Sequence, residues 1–475
     1  MRRIFLSFLS CMCCLAISAQ AKYVFYFIGD GMGPNQVLGA EMLLAEQQGR
    51  IGYEPLLFTQ FPMSGMARTY SANSGVTDSA AGGTALSTGK KTTNGFVGVL
   101  PDSTSVPTIA EILKRRGMAV AICTSVSIDH ATPACFYAHE PSRERYYEIG
   151  TWLPKSNFDF FAGAGFRKPQ NKKDKHSPNL YSLVEGAGYT MARGFDEYIQ
   201  LRDSAQKMIL IQKEDGLPQN EYKSAESIGF KIDQTEGALT LEQITRAALD
   251  FTPRENGFFM MIEGGMIDWG CHNNDAKAVW YEIIEMDKAI RVAYDFYLEH
   301  PDETLIVITA DHETGGLSMG RNDEYVLTLK ELDSQQCSGF AFEEKVYAYI
   351  DTHLQKGKLK KLPVEWLRKA LEADLGFYSK YPLSADEEQA IFNCIWYHYG
   401  VKKQLKPTLY ANDFYSLQHI VTRLMDKQAH IEWSTSGHSA ANVPVIAIGA
   451  GAELFSGWQD NTDIMPKILK ATEQK

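Results

Sequence analysis

Five short apolar runs recur along the chain, and stretches with the spacing of amphipathic helices separate them. The runs are rich in β-branched and aromatic residues, and the intervening stretches include 105–116, 239–250 and 276–298. Strands that alternate with helices in this way predict an α/β fold, a mostly parallel sheet with helices on both faces. The predicted strands are 23–28, 118–123, 257–262, 304–309 and 443–448.

Polar residues follow the predicted strands at the points where the apolar runs end. Functional groups collect at the carboxyl ends of strands in such sheets, so we expect these side chains to converge. They extend over nearly the whole chain, which predicts a single domain over residues 22–475. In chain order they are Asp30, His130, Thr132, Glu263, Asp311, His312 and, just before the last predicted strand, His438.

The stretch 323–433 departs from this alternation because it is helix-rich and charged. We interpret it as an insertion within the domain that lies over the active-site face. On this interpretation, its deletion would change the substrate range or the association state more than the chemistry.

The first residues have the layout of a signal peptide. Two arginines precede an apolar run over 4–17, and small residues follow at 19 and 21, which predicts cleavage before Lys22. A lipoprotein signal at Cys11 or Cys14 is the alternative. Both interpretations predict export to the periplasm or secretion, and no membrane span is expected in the mature chain.

The amino-acid composition and the net charge indicate a globular protein that does not bind nucleic acid. Hydrophobic residues make up 44% and charged residues 22% of the chain, as in globular proteins, which argues against wholesale disorder. The net charge of −11 makes a nucleic-acid partner unexpected. The cysteines after the signal segment have neither a disulfide-framework spacing nor a zinc-knuckle spacing; they are Cys123, Cys135, Cys271, Cys337 and Cys394.

One segment has the spacing of a metal site. Asp268 and His272 are four residues apart, so a helical turn would place both on one face, where they could share a cation. Glu263 precedes them at a strand end, within reach of a neighbouring ion. The alternative is an amphipathic turn with a solvated Asp and His.

A serine stands at a predicted helix start, in the segment Thr77-Asp78-Ser79-Ala80-Ala81. Helix-start amides favour an anion, and an adjacent metal ion could hold the serine as an alkoxide nucleophile. Asp78 or Ser79 could instead be a plain helix cap. Likewise Asp30, between glycines, could belong to an ordinary turn.

Taken together, these segments resemble the alkaline phosphatase family. The resemblance covers nearly the whole mature chain, in family order, and leaves out 323–433. The segments are Asp30, Thr77 to Ala81, His130-Ala131-Thr132-Pro133-Ala134, Arg143, Glu263 to His272, Asp311-His312 and His438.

The resemblance implies a site for three cations and a mechanism. One zinc would be held by Asp268, His272 and His438, and the second by Asp30, Asp311 and His312 together with Ser79. Magnesium would share Asp30 and add Thr132 and Glu263, while Arg143 would bind two phosphate oxygens. Ser79 would attack a phosphate monoester, and water would hydrolyse the resulting phosphoserine. Small phosphomonoesters and inorganic phosphate are the implied ligands, and a homodimer is the common state of the family.

Charge balance supports the same chemistry. Three divalent cations exceed the charge of the four carboxylates, and Arg143 adds to the surplus. A phosphate dianion and a serine alkoxide would neutralise that surplus, so the site matches a phosphoryl group under attack.

Two positions depart from some members of the family. His130 and Trp269 stand near the metals where other members carry an aspartate or histidine and a lysine or histidine. His130 would reach magnesium only through water, or would favour zinc at the third site.

Two other functions remain open from the sequence. A phosphodiesterase or sulfatase of the same superfamily would keep the zinc ligands but generally lacks the set of Thr132, Glu263 and Arg143. A non-catalytic protein that binds zinc or phosphate would have no need of a nucleophile such as Ser79.

Overall fold

The computed structural model describes residues 20–213, 225–322, 324–401 and 416–473. The predicted signal peptide, with Cys11 and Cys14, therefore lies almost entirely outside the described residues. Within the described ranges, every helix is too short or too polar to cross a membrane.

The centre of the fold is a ten-stranded sheet, in the order β14-β2-β13-β8-β1-β7-β3-β4-β6-β5. Two pairs of short strands, β10 with β11 and β12 with β9, lie outside it. The strands are β1 Tyr23–Gly29, β2 Met63–Arg68, β3 Ala119–Thr124, β4 Phe160–Gly163, β5 Tyr189–Arg193, β6 Lys207–Ile211, β7 Phe258–Gly264, β8 Thr304–Thr309, β9 Glu313–Thr314, β10 Leu317–Met319, β11 Ile431–Trp433, β12 His438–Ser439, β13 Val443–Gly449 and β14 Gly457–Asp460.

Helices flank this sheet in two groups. The first group packs around α11, which contacts α1, α9, β1 and β8, and the second contains α2, α3, α4 and α16. The helices are α1 Pro34–Gln47, α2 Ser79–Thr88, α3 Ile109–Arg115, α4 Ala131–Ala134, α5 Tyr146–Gly150, α6 Leu153–Ser156, α7 Leu180–Gly186, α8 Gly194–Leu201, α9 Leu241–Phe251, α10 Met266–His272, α11 Ala276–Glu299, α12 Gly339–Asp351, α13 Val364–Leu375, α14 Ala385–His398, α15 Leu417–Gln428 and α16 Ile464–Ala471.

The predicted α/β fold is confirmed, and the five predicted strands correspond to β1, β3, β7, β8 and β13. All residues of β1, β3, β7 and β8 are buried, which explains why they read as continuous apolar runs. The predicted helix 105–116 begins later, at Ile109, because Thr108 caps it in a capping box with Glu111.

The sheet is mostly parallel, as predicted, with β13 as its antiparallel strand. β13 runs antiparallel to both of its neighbours, β8 and β2, whereas the other neighbouring strands run parallel. The expectation that β13 is the last strand is wrong, because β14 follows it and pairs with β2 at the sheet edge. β14 has four residues, of which two are exposed, so it lacks the long apolar run that identifies a central strand.

Most buried apolar residues between Ala21 and Ala471 form one continuous cluster, which includes residues of the helices α12 to α15 between 323 and 433. This continuity supports our proposal that residues 22–475 form a single domain. A second, small cluster contains Val126, Phe230, Met266 and Ala278. The five cysteines within the described residues are unpaired thiols, as the irregular spacing predicts.

Candidate active site

The register of the central strands brings the candidate ligands to one edge of the sheet. In β1, Ile28 lies opposite Glu263 of β7 and opposite Thr309 of β8. Asp30 comes directly after β1 and Asp311 shortly after β8, so both carboxylates lie beside Glu263. The expected convergence at the carboxyl ends of the strands is therefore observed.

The loop after β1 approaches the helix α10 closely at Gly31. This glycine has a φ of 74°, and a Cβ atom there would lie 3.0 Å from the Cα of Asp268 and 3.0 Å from the Oγ1 of Thr314. A side chain would thus meet backbone atoms in a conformation that few residues adopt. The glycine allows the groups around Asp30 and Asp268 to lie side by side.

The first ligand group consists of Asp268, His272 and His438. The Nε2 atoms of the two histidines are 3.2 Å apart, and that of His272 lies 3.2 Å from Asp268 Oδ2. On the far side of each ring, Nδ1 donates to a carbonyl oxygen, that of Ser436 at 2.5 Å and that of Thr77 at 2.8 Å. Both Nδ1 atoms therefore carry the ring proton, which leaves the Nε2 lone pairs for a cation.

The second group consists of Asp30, Asp311 and His312, all fully buried. The Nε2 of His312 lies 3.3 Å from a carboxylate oxygen of each aspartate and 3.1 Å from the Oγ of Ser79. The predicted nucleophile therefore lies directly beside three predicted zinc ligands.

The third group consists of Asp30, His130 and Glu263, so Asp30 belongs to two groups. Thr132 donates to Asp30 Oδ2 at 3.2 Å, and Thr124 donates to Glu263 Oε2. Carboxylate and hydroxyl oxygens are the ligand atoms that magnesium prefers.

Ser79 is the first residue of α2, and Asp78 is its N-cap. One carboxylate oxygen of Asp78 accepts from the Ala81 amide at 2.9 Å, and the other accepts from Arg143 Nη1 at 3.0 Å. Arg143 Nη2 lies 3.3 Å from His130 Nε2. Asp78 is thus a helix cap, which was the structural alternative that the sequence left open. It also orients Arg143, because it accepts a hydrogen bond from the guanidinium group.

Without cations, three of the four carboxylates of the site favour protons, whereas the neighbouring histidines outweigh burial and hold the pKa of Asp268 well below its usual range. Burial and the neighbouring carboxylates raise the pKa of Asp30 and of Asp311 well above the usual range, and burial raises the pKa of Glu263 to about 7. Burial opposes the charged form of His272, yet the charge of Asp268 outweighs it and raises the pKa of His272 to about 9. Positive charge among buried acids this close together would stabilise their ionised forms.

Four buried atoms of these groups have no hydrogen-bond partner among the described residues: Asp30 Oδ1, Asp311 Oδ2, Glu263 Oε1 and His130 Nδ1. Buried polar atoms are nearly always paired, so atoms of this kind indicate a missing ligand. The four atoms belong to the second and third groups, and the donor types fit divalent cations.

Two further residues contact the ligands and were missed from the sequence. Thr124 is the last residue of β3, one position beyond the predicted strand, and Thr314 comes two residues after His312. The Oγ1 of Thr314 donates to Asp268 Oδ1 at 2.6 Å and lies 3.1 Å from His312 Nδ1. The rule that polar residues close the strands would have identified Thr124, whereas no sequence pattern marks Thr314.

Trp269 and Cys271 lie between the predicted ligands on α10. Trp269 is half-buried, and its ring contacts that of His130 edge-on, with 6.1 Å between centroids. Cys271 is fully buried, and burial raises the pKa of its thiol well above the usual range. The buried thiol is consistent with a packing role for Cys271.

A family model described as "Alkaline phosphatase" matches residues 21–159 and 222–474. This chain belongs to the alkaline phosphatase family. The match runs through 323–433 and omits 160–221, the part of the chain that contains β4, β5 and β6.

Individual alkaline phosphatases are similar to this chain over most of its length. Alkaline phosphatase 3 of Bacillus subtilis is 28% identical over 463 residues, which cover 96% of this chain and 89% of that protein. The crystal structure of a cold-active alkaline phosphatase from Shewanella sp. is 29% identical and has a TM-score of 0.76, with 95% of this chain and 100% of that chain covered.

A third similar structure is that of a variant of the alkaline phosphatase from the Antarctic bacterium TAB5. In this variant a glutamate replaces a histidine, and magnesium is bound in the M3 site. It is 27% identical, with a TM-score of 0.61, and the alignment covers 96% of this chain and 98% of that one.

The resemblance inferred from the motifs is thereby confirmed, and this alkaline phosphatase is an enzyme. Its family and its fold support the hydrolysis of phosphate monoesters, and the family is metal-dependent. The family match favours this activity over a phosphodiesterase, a sulfatase or a non-catalytic binding protein.

Proposed function

We propose that this alkaline phosphatase hydrolyses phosphate monoesters through a phosphoserine at Ser79, in a site that binds two zinc ions and one magnesium ion. The observation that carries the proposal is the position of Ser79. Its buried Oγ lies 3.1 Å from His312 Nε2, and two buried carboxylate oxygens of the adjacent ligand group have no hydrogen-bond partner among the described residues.

The ligand groups correspond to the ions as follows. Asp268, His272 and His438 would hold one zinc, and Asp30, Asp311 and His312 the other. Asp30, Thr132 and Glu263 would hold magnesium through oxygen atoms. When bound, the ions supply positive charge that lowers the pKa of the serine hydroxyl and stabilises negative charge on the phosphoryl group and the leaving oxygen.

The residues of the chain then account for the two chemical steps, which are the formation of the phosphoserine and its hydrolysis. The Ser79 oxygen forms a bond to phosphorus as the bond to the ester oxygen breaks, and the alcohol leaves after taking up a proton. A water oxygen next attacks the phosphorus, the bond to Ser79 breaks, and inorganic phosphate leaves. Arg143, oriented by Asp78, would bind two phosphate oxygens, and the amides at the start of α2 favour the same anion.

The third ion is proposed to be magnesium, with His130 acting through water. An arginine can only donate, so Arg143 donates to His130 Nε2 and the ring proton lies on Nδ1. A protonated Nδ1 can donate to a water molecule but cannot ligate a cation directly. The described magnesium-bound form of the TAB5 enzyme carries glutamate in place of a histidine, so zinc remains the alternative ion at a site with His130.

Two further properties are proposals that rest on the family and the sequence. We propose that the protein is exported, because its first residues have a signal-peptide layout. We propose a homodimer because that is the common state of the family. Mass measurement on the purified protein and analysis of cell fractions test the two independently.

The proposed function is tested on metal-free protein that is reconstituted with zinc and magnesium. Activity should be absent after chelation and should return with both metals, and monoesters should be cleaved much faster than diesters or sulfates. Acid quenching with labelled substrate should trap phosphate on Ser79. Full activity of verified metal-free protein, or trapped phosphate on another residue, would contradict the proposal.

Ser79→Ala and Ser87→Ala form a matched pair within α2. The first should lower the rate by at least about 1000-fold with zinc content unchanged, because the nucleophile is lost and the ligands remain. The second should have parental activity, since the Ser87 hydroxyl donates to Thr84 O in its own helix.

A further inference from the structure

The short link between α10 and α11 contains a buried asparagine whose amide is fully used. Asn274 has a φ of 49° and is 0% exposed. Its Nδ2 donates to Cys271 O at 2.9 Å and to Thr435 O at 3.0 Å. Its Oδ1 accepts from Arg423 Nε at 2.9 Å and from Arg423 Nη2 at 2.7 Å. Both donors and both acceptor positions of the amide are therefore occupied.

The two carbonyl groups that accept from Asn274 belong to the two segments that carry His272 and His438. Cys271 directly precedes His272, and Thr435 lies three residues before His438. Between them, Ser436 O accepts from His272 Nδ1. Asn274 thus joins two ligand-bearing segments that are distant in the sequence.

Helix α15 supports the same link from its other side. His419 Nε2 donates to His272 O at 2.8 Å, and Thr422 Oγ1 donates to Asn273 O at 2.9 Å. Asp426 Oδ2 accepts from the Ala276 amide at 3.4 Å. Because α15 lies within 323–433, this part of the stretch forms the scaffold of His272. Deletion of 323–433 would therefore remove hydrogen bonds that support a predicted zinc ligand. The sequence alone predicted a change in substrate range or association state more than in the chemistry.

We propose that Asn274 is a positioning residue that holds His272 and His438 at the separation that the first zinc requires, with α15 supporting it through Arg423. This rests on the proposed function, in that it assumes zinc at Asp268, His272 and His438. Residues that orient metal ligands without touching the ion typically change metal affinity by about 10- to 100-fold. Asp311 and His312 have separate supports, the Gly31 amide and Thr314, so the second zinc should not depend on Asn274.

The test measures zinc release to a chromogenic chelator from fully loaded Asn274→Asp. This substitution retains the size of the side chain and the acceptors for Arg423, but it removes both donors. One zinc equivalent should leave about 10- to 100-fold faster than in the parent, and the other should leave at the parental rate. Excess free zinc should restore kcat.

Asn274→Gly distinguishes the loss of the amide from the effect of the negative charge that Asn274→Asp introduces. Glycine tolerates the positive φ and has no side chain, so the same zinc equivalent should become labile. Asn393→Asp is the matched control, because Asn393 lies in α14, where its Oδ1 accepts from Gln389 of the same helix at 2.9 Å. It should release both zinc equivalents at parental rates.

Four results would overturn the inference. The first two are release of both zinc equivalents at parental rates, and release of both equally fast, by folded Asn274 variants. Loss of folding in both variants, judged by circular dichroism of the metal-free proteins, would assign Asn274 to the fold alone. A parent protein that binds no zinc would overturn the proposed function itself, and this inference with it.

Discussion

At the scale of single residues, the Thr314 hydroxyl contacts a ligand of each proposed zinc site, Asp268 and His312. It donates to Asp268 Oδ1 and therefore accepts from His312 Nδ1, which leaves His312 Nε2 for the metal. Thr314→Val removes both hydrogen bonds without a change of shape, and each buried group left unpaired costs about 1–3 kcal/mol. We expect lower zinc content after dialysis at limiting free zinc.

Thr314→Ser is the control, because it retains the hydroxyl and should keep zinc near the parental level. Equal zinc content in the valine variant and the parent would show that the hydroxyl does not orient the ligands. Zinc content is measured by elemental analysis of the dialysed protein.

Arg143 is the residue that should distinguish monoesters from diesters. A monoester dianion has three terminal oxygens, so two can contact the guanidinium group, whereas a diester has one oxygen capped by an alkyl group. Arg143→Ala removes two charge-assisted hydrogen bonds worth about 2–4 kcal/mol together, or about 30- to 1000-fold in kcat/KM for monoesters. Diesterase activity should decrease much less.

Arg145→Ala is the matched control for this comparison. Arg145 is exposed and forms an ion pair with the buried Glu140 at 2.8 Å. Because neither residue is a candidate site residue, Arg145→Ala should leave both activities near the parental values. If monoesterase and diesterase activities fall by the same factor in Arg143→Ala, the guanidinium does not recognise the additional oxygen of the monoester.

At the scale of elements, α9 offers a test of stability that is separate from catalysis. Thr240 Oγ1 accepts from the Gln243 amide at 3.1 Å, and Gln243 Oε1 accepts from the Thr240 amide at 3.1 Å, which closes a capping box. Thr240→Ala should lower the free energy of unfolding by about 0.5–2 kcal/mol. Activity at 25 °C should not change, because α9 carries none of the candidate site residues.

Denaturant unfolding of the metal-loaded protein measures this effect, and Thr240→Ser should restore the parental stability. A loss of activity in Thr240→Ala without a loss of stability would show that α9 affects the site in a way that these contacts do not explain.

At the scale of the whole molecule, removal of the metals should destabilise the fold as well as abolish activity. The four carboxylates Asp30, Glu263, Asp268 and Asp311 are all buried within one region. A ligand at about 1000 times its Kd stabilises the native state by about 4 kcal/mol per site. Chelation should therefore lower Tm by several degrees, and zinc with magnesium should restore it.

Differential scanning calorimetry of chelated and reconstituted protein provides the measurement. Calcium added instead of zinc is the control, because it prefers more oxygen ligands than the two histidine-containing zinc groups offer. An identical Tm with and without metals would indicate that the carboxylates tolerate one another without cations.

The sequence by itself determined the central strands and the identity of the candidate ligands. β1, β3, β7 and β8 are buried throughout, so each is a continuous apolar run that local sequence reveals. The four-residue spacing of Asp268 and His272 is also local, because one turn of α10 suffices to bring them together.

Tertiary structure alone decided the pairing of the peripheral strands and the residues that support the ligands. β14 and β2 each bury only one of their residues, so their strand character depends on neighbouring strands rather than on their own residues. Asn274 and Thr435 are 161 residues apart, and Thr314 and Asp268 are 46 apart. A hydrogen bond between distant residues leaves no periodic pattern in the sequence, because only the folded chain brings its donor and acceptor together.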